Sequence, residues 1–457
     1  MSQQKFDFTN GSIQKKMILF ATPVLLGNIL QSSYQLIDSL WVGNLLGSEA
    51  LGALAISAPI FFSILSFMIG INSSTLTILS QQKGKNDEEG LKQSLNAFVV
   101  ILGILSILFG IIGFFCSNIL LKWLGTPEEI LPLAKSYLQI NFLGIIFLFG
   151  YNFIGTILRA LGDSKTPIRF IFLAVILNTF LDPLFISGFG LGMDGAAYAT
   201  VISQAIAFLY GLWYSIYRAN VPFTIPKFPE KKEIKTVLKL GIPGGLQMIA
   251  ISSGLVVVIS VVNSFGKDVI AGFGAAQRIE NIILLPAFTL GSVVNSMAGQ
   301  NIGADRWDRV SEIAKKGAYL IVSLTLMISL FVFLGAEFLV RMFVDNPETV
   351  AFGTTYLKTI AFFYPFIGIN FVLNGIARSS GAMMQVLILN IISFWVLRYP
   401  LALLFSSIWG EIGISIGIGL SFVVSCLLAT LYYFFGKWKE IDIFEEKKSK
   451  SDGGVSH

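Results

Sequence analysis

The sequence predicts an all-α polytopic membrane protein: twelve transmembrane helices arranged as two pseudo-symmetric six-helix lobes. Three observations carry that prediction. Hydrophobic residues fill 54% of the 457 positions and charged residues only 13%, where a water-soluble chain would hold roughly a quarter charged residues. The apolar positions form long continuous runs, each enough for the roughly 20 residues a hydrocarbon core requires, and not the alternating ten-residue stretches of a porin-type barrel. The second half of the chain also repeats the first at an offset near 219 residues.

Candidate spans lie near 17–41, 51–80, 93–117, 133–158, 167–187 and 195–217. The first starts at Met17 with polar insertions and no small-residue cleavage pattern, so it reads as a permanent span and not a signal peptide. A basic stretch from Arg218 to Lys239 follows, containing Pro222, Pro226 and Pro229. Six more spans come after it, near 240–263, 269–299, 317–340, 351–376, 384–405 and 411–436. The expected organisation is an N-terminal lobe over 1–217, a cytoplasmic linker over 218–239, a C-terminal lobe over 240–436 and a solvated cytoplasmic tail over 437–457.

Lysine and arginine set the orientation. All but seven of the 32 basic residues fall on the side holding the termini and the even-to-odd loops. The exceptions are Lys122, Lys135, Lys267, Arg278, Arg341, Lys358 and Arg398. Both termini are therefore expected in the cytoplasm. Arg398, near the outer end of its span, is expected to snorkel towards the interface.

The repeat is legible in its punctuation. Pro23 answers Pro243, Gly47 answers Gly266, and "QQKGKND" at 81–87 answers "QNIGADR" at 300–306. Tyr137 answers Tyr356, Arg159 and Gly162 answer Arg378 and Gly381, and Gly195 answers Gly413. Six spans per half insert both halves the same way, so the symmetry axis should follow the membrane normal, with a substrate site between the lobes near the midplane.

Composition also excludes chemistries. The single histidine is His457, the last residue, which removes histidine proton relays, histidine metal sites and Ser-His triads. Cys116 and Cys426 both sit in apolar runs and read as buried thiols. No G-x-x-x-x-G-K-[ST] loop occurs, so transport would run on ion gradients and not on nucleotide hydrolysis within this chain. The net charge of +5 is spread between apolar spans and is no nucleic-acid footprint.

Polar residues inside spans are the functional candidates. In "QSSYQLIDSLWVG", helical spacing places Gln31, Tyr34, Gln35 and Asp38 on one face. On the fifth span Asn178 and Asp182 are one turn apart, with Pro183 able to open the backbone, and Thr200 on the sixth offers a hydroxyl. An ionised carboxylate in a span costs roughly 2.5–3.5 kcal/mol. Two carboxylates sharing a pocket would therefore hold a proton or a small cation. Glu280 could line the central cavity or pair elsewhere; Arg278, two residues away, does not face it.

On these residues the chain resembles the multidrug and toxic compound extrusion (MATE) family, over nearly its whole length and within the prokaryotic DinF-like branch. The resemblance is carried by "PVLLGNILQSSYQLIDSLWVG", "LRALGDSKTP", "AAQRIENIILLPAFTLG", "GQNIGA" and the two-lobe plan. It implies a plasma-membrane antiporter, acting as a monomer, that expels cationic amphipathic compounds in exchange for H⁺ or Na⁺ and needs no cofactor beyond that ion. In this branch the N-lobe cation site uses positions matching Asp38, Asn178, Asp182 and Thr200, with Tyr34 adjacent. Gln31, Tyr34, Gln35 and Glu280 are the candidate cavity residues, and Pro23 is the expected hinge of the first span.

The other prokaryotic branch carries acids in its seventh and tenth spans. Here those places hold Ile251 and the acid-free "FFYPFIGINFVLNGIA". Coupling is thus expected in the N-lobe, with H⁺ favoured and Na⁺ as the alternative. A flippase for lipid-linked saccharides is the runner-up, although its cavity would want basic residues where these spans offer acids. A membrane enzyme would need a nucleophile–base pair, and a channel a repeated pore loop; the sequence shows neither.

Overall fold

A computed structural model describes residues 6–444, and all its regular elements are helical. His457 and the tail beyond Phe444 lie outside the described residues. The first lobe consists of α1 (Ile13–Leu46), α2 (Ser48–Lys85), α3 (Glu88–Trp123), α4 (Leu131–Leu143), α5 (Ile145–Ala160), α6 (Lys165–Pro183) and α7 (Gly192–Tyr217). The second consists of α8 (Lys231–Asn263), α9 (Lys267–Ile283), α10 (Leu285–Gly303), α11 (Trp307–Arg341), α12 (Pro347–Ala361), α13 (Tyr364–Ser379), α14 (Met383–Ile391), α15 (Arg398–Trp409) and α16 (Ile412–Phe435). Among the described residues, ten helical stretches are long and apolar enough to cross a membrane. Two bent pairs, α4–α5 at 49° and α12–α13 at 53°, bring the total to twelve. Large apolar side chains such as Phe115, Leu334 and Phe434 are exposed on the outside, as a lipid-solvated surface requires.

The repeat is visible in the backbone. Left-handed φ values occur at Gly47 (84°), Asn86 (56°) and Gly162 (88°), and again at Gly266 (94°), Asp305 (56°) and Gly381 (94°). Such a conformation strains most side chains, so these sites fall to Gly, Asn or Asp, which is why the punctuation is legible. The bent pairs occupy equivalent places in the two halves. So do π-helical turns, Leu184–Gly188 after α6 and Ile392–Leu397 between α14 and α15.

One boundary differs from expectation. The stretch 218–239 was expected to be linker, but α8 begins at Lys231, where Glu230 and Glu233 form a capping box. Reciprocal capping satisfies the first orphan N–H groups, so the helix starts before the chain becomes apolar.

Three clusters of buried apolar residues show how the halves meet. One fills the first lobe and takes in Val237, Leu240 and Met383 of the second, and another, from Val258 to Phe422, belongs to the second lobe alone. The third joins them at the end carrying the termini: Phe8, Ile13, Met17, Phe20 and Val24 pack with Leu290, Val294, Ala377 and Trp438. The lobes thus share a core at the basic face, and α2 and α8 continue the contact between them as far as Ser66 and Ser252, whose hydroxyls lie 3.3 Å apart.

Candidate ion site and the seal between the lobes

Tyr34 and Asp38 on α1 turn into the first lobe towards α6 and α7. Asp38 is 6% exposed, Asn178 and Asp182 are fully buried, and Thr200 is buried beside them. The α6 turn ending at Pro183 places Asn178 Nδ2 2.9 Å from Asp182 Oδ1, to which it donates. The Tyr137 hydroxyl, from α4, donates to Asp38 Oδ2 at 3.3 Å. Tyr34 donates to the Thr200 carbonyl at 3.4 Å. Asn178, Thr200 and Asp182 are neighbours of Asp38 in the same buried pocket.

This cluster is short of hydrogen-bond partners. Asp38 Oδ1, Asn178 Oδ1, Asp182 Oδ2 and Thr200 Oγ1 are buried and receive no hydrogen bond. Leaving buried polar atoms unpaired costs about 1–3 kcal/mol each, so four oxygens in one pocket fit a bound proton or a small hard cation. Only two of the four residues are carboxylates, and the described residues hold no group of three or more His, Cys, Asp or Glu side chains suited to a transition metal.

The other sequence candidates divide. Gln31 is half-buried and Gln35 is exposed, so the polar face of α1 is split between the lobe interior and its surface. Glu280 does not line an open cavity: it is 5% exposed, inside the second lobe. Its Oε2 accepts from Gln277 Nε2 at 2.8 Å and from the Tyr356 hydroxyl at 3.3 Å. Arg278 is exposed and points away from it. Arg398 does not snorkel. It is 4% exposed, with its guanidinium 4.3 Å from the ring centre of Phe394 and 5.1 Å from that of Phe422. The π-helical turn before Arg398 and cation–π attraction draw it into the lobe. Cys116 and Cys426 are free thiols, half-buried and buried respectively.

In the sequence Tyr137 and Tyr356 stand out only as repeat partners. Each in fact holds a buried carboxylate at 3.3 Å.

At the basic face a two-fold set of bonds seals the lobes. Gln81 donates to the Ser379 carbonyl at 2.6 Å, and Gln300, its repeat partner, to the Ala160 carbonyl at 2.9 Å. Thr77 donates to the Arg378 carbonyl and Ser296 to the Arg159 carbonyl, each at 3.1 Å. A Cβ on Gly84 would strike the Gln300 carbonyl, and one on Gly303 the Gln81 carbonyl. The N-terminal segment crosses the seal: Phe6 N donates to the Gly162 carbonyl of the first lobe at 2.9 Å, and Phe8 N to Gln300 Oε1 of the second at 3.2 Å.

Two six-span lobes, a buried acidic pocket in one of them and a seal at one membrane face fit a membrane transporter. The MatE family model matches residues 23–184 and 243–404, one match per lobe, and the chain belongs to that family. It is 58% identical over 442 residues to the "Probable multidrug resistance protein YpnP" of Bacillus subtilis (strain 168), covering 97% of this chain and 99% of that one. To "Probable multidrug resistance protein YoeA" of the same strain it is 32% identical, covering 94% and 96%. A solved structure described as the outward-facing conformation of a multidrug resistance MATE family transporter superposes with a TM-score of 0.89 at 23% identity, covering 95% and 98%. The expected family and all-helical two-lobe fold are thereby met. The chain is a transporter and not an enzyme.

Proposed function

We propose that this protein exports amphipathic, cationic drugs or toxins by antiport against protons, with the counter-ion carried at Asp38 and Asp182. The observation carrying this reading is the buried N-lobe pocket, where two carboxylates, Asn178 and Thr200 leave four oxygens unpartnered. Loading a proton neutralises a carboxylate that is costly in hydrocarbon, so the pocket is stable loaded and unstable empty. The basic face is the cytoplasmic one, carries both termini, and is sealed in this conformation. The protein then faces outward across the plasma membrane. The relatives' names supply the drug class, and the acidic pocket supplies the preference for cations.

The same four oxygens suit Na⁺, which makes Na⁺ coupling the second reading. Dye efflux from inside-out vesicles, driven first by a pH step and then by a Na⁺ step, separates the two. Asp38→Asn should abolish driven efflux while leaving insertion intact. Driven efflux at the wild-type rate in that variant would remove Asp38 from the mechanism.

A further inference from the structure

Each lobe holds a buried carboxylate under the same repeat-related tyrosine, but the acids come from non-equivalent helices, Asp38 from α1 and Glu280 from α9, and the two pockets differ in charge. In the first, Tyr137 from α4 donates to Asp38, and the second charged group is Asp182, just ahead of Pro183. In the second, Tyr356 from α12, the repeat partner of Tyr137, donates to Glu280. There the helix answering α6 carries Arg398, just ahead of Pro400. Both Glu280 and Arg398 are nearly fully buried, and they meet one core cluster: Tyr356, which donates to Glu280, and Phe394 and Phe422, whose rings flank Arg398, pack together in it with Ile279. They form no direct salt bridge among the described residues, and Arg398 Nε has no hydrogen-bond partner. With all groups ionised, the first pocket carries two negative charges and the second carries one of each sign, with no net charge.

A buried carboxylate in a span must be neutralised by a proton, a cation or a fixed positive side chain. We propose that Arg398 is a tethered counter-ion for Glu280: it occupies the second pocket electrostatically, so the C-lobe exchanges no ion and coupling is confined to the N-lobe. Arg398 is on this account a positioning residue acting through Glu280, held between Phe394 and Phe422. The inference rests on the reading that Asp38 and Asp182 form the exchanging site. The charged and titratable side chains acting on Glu280 are Arg398 from α15, Tyr356 from α12 and Tyr364 from α13. Among the described residues, α8, α10 and α11 contribute none to it.

The test is a charge cycle on the full-length purified protein, with Arg398→Lys, Arg398→Gln, Glu280→Gln and the double Glu280→Gln/Arg398→Gln. Thermal midpoint is read at pH 8 and pH 5.5, and protons moved per dye are read in liposomes. The tethered counter-ion predicts that Arg398→Lys stays near wild type. Arg398→Gln should lose several degrees at pH 8 and regain most of them at pH 5.5, where a lone carboxylate takes a proton. The double variant should recover both the midpoint and the wild-type proton-to-dye ratio. A double variant as unstable as Arg398→Gln, or a deficit indifferent to pH, would show that Arg398 serves only as packing between two rings. A double variant uncoupled in the way expected of Asp38→Asn would show that Glu280 exchanges an ion. The thermal cycle needs no transport, so it can fail or succeed independently of the antiport reading.

Discussion

Gly84 and Gly303 are where the seal can be broken with the smallest change. In each, an added methyl would meet a backbone carbonyl on the opposite lobe, at Gln300 and Gln81 respectively. A backbone atom cannot rotate away, so α2 and α10 must part. The same movement stretches the bonds from Gln81 to Ser379 and from Gln300 to Ala160. Overpacking of this kind costs about 1–3 kcal/mol. It falls only on the sealed state, because the helices separate when the basic face opens. At 1.4 kcal/mol per tenfold, Gly84→Ala should shift the population towards the open basic face by about five- to a hundredfold. The probe is a cysteine at Ser80, a fully buried residue 3.4 Å from Ser296 across the interface, with Cys116 and Cys426 replaced. A maleimide applied from the basic face should label Ser80→Cys faster in the Gly84→Ala background by that factor. Gly335→Ala, where an added Cβ meets nothing within 4 Å, is the matched control. Equal labelling rates in folded Gly84→Ala and control protein would refute the claim that this contact gates access.

Two further outcomes follow from single contacts. Tyr137→Phe removes the donor to Asp38 Oδ2 and nothing else polar, so driven efflux should fall by roughly five- to tenfold, the worth of about one hydrogen bond. Efflux lost as completely as in Asp38→Asn would mean that the hydroxyl does more than orient the carboxylate. At the N-terminal crossing, partial burial of Asp7 opposes its charge, but bonds from Thr9 and Asn10 and the charge of Lys16 hold its carboxyl below the usual range. A depressed pKa contributes stability above the unfolded value of about 3.9, which is lost as pH falls through the folded value. Protease cutting near Asn10 should therefore rise below about pH 4 and be constitutively faster in Asp7→Asn; a cutting rate flat with pH would exclude the carboxylate as an anchor.

What the sequence revealed follows from the cost of the residues involved. Asp38, Asn178 and Asp182 stand out because polar groups in hydrocarbon demand partners, and the spacing of four residues puts Asn178 and Asp182 one turn apart on α6, where they bond at 2.9 Å. Gly47, Gly162, Gly266 and Gly381 stand out because their backbone excludes most side chains. Tyr137 and Tyr356 carry no such penalty, so their role as carboxylate partners could not be separated from packing. Arg398 was misplaced because linear position put it near a span end, whereas the π-helical turn and two phenylalanine rings decide where its side chain goes. The bends at α4–α5 and α12–α13 were half legible. Pro365 marks the second, while the first has only Gly144 at its break.

The seal and the ion pocket are joined by one helix. The first turns of α1, through Val24, belong to the core shared by both lobes at the basic face. Beyond it Leu30, Tyr34, Ile37, Trp41 and Val42 pack in the first lobe alone, next to Asp38. Pro23 stands one residue before the end of that shared stretch, and its missing N–H leaves the helix one bond weaker at that point. On the proposed coupling, a change of charge at Asp38 would alter what holds the part of α1 beyond Val24, and the part before it would pass any bend to Phe20, Met17 and the segment that crosses Gln300. The second lobe has no such lever on its own acid. Glu280 sits on α9, held by Gln277 and Tyr356 and balanced by Arg398. On the proposed reading, the duplication that built two equal scaffolds left one lobe with an exchangeable charge on the helix that touches the seal, and the other with a charge already answered.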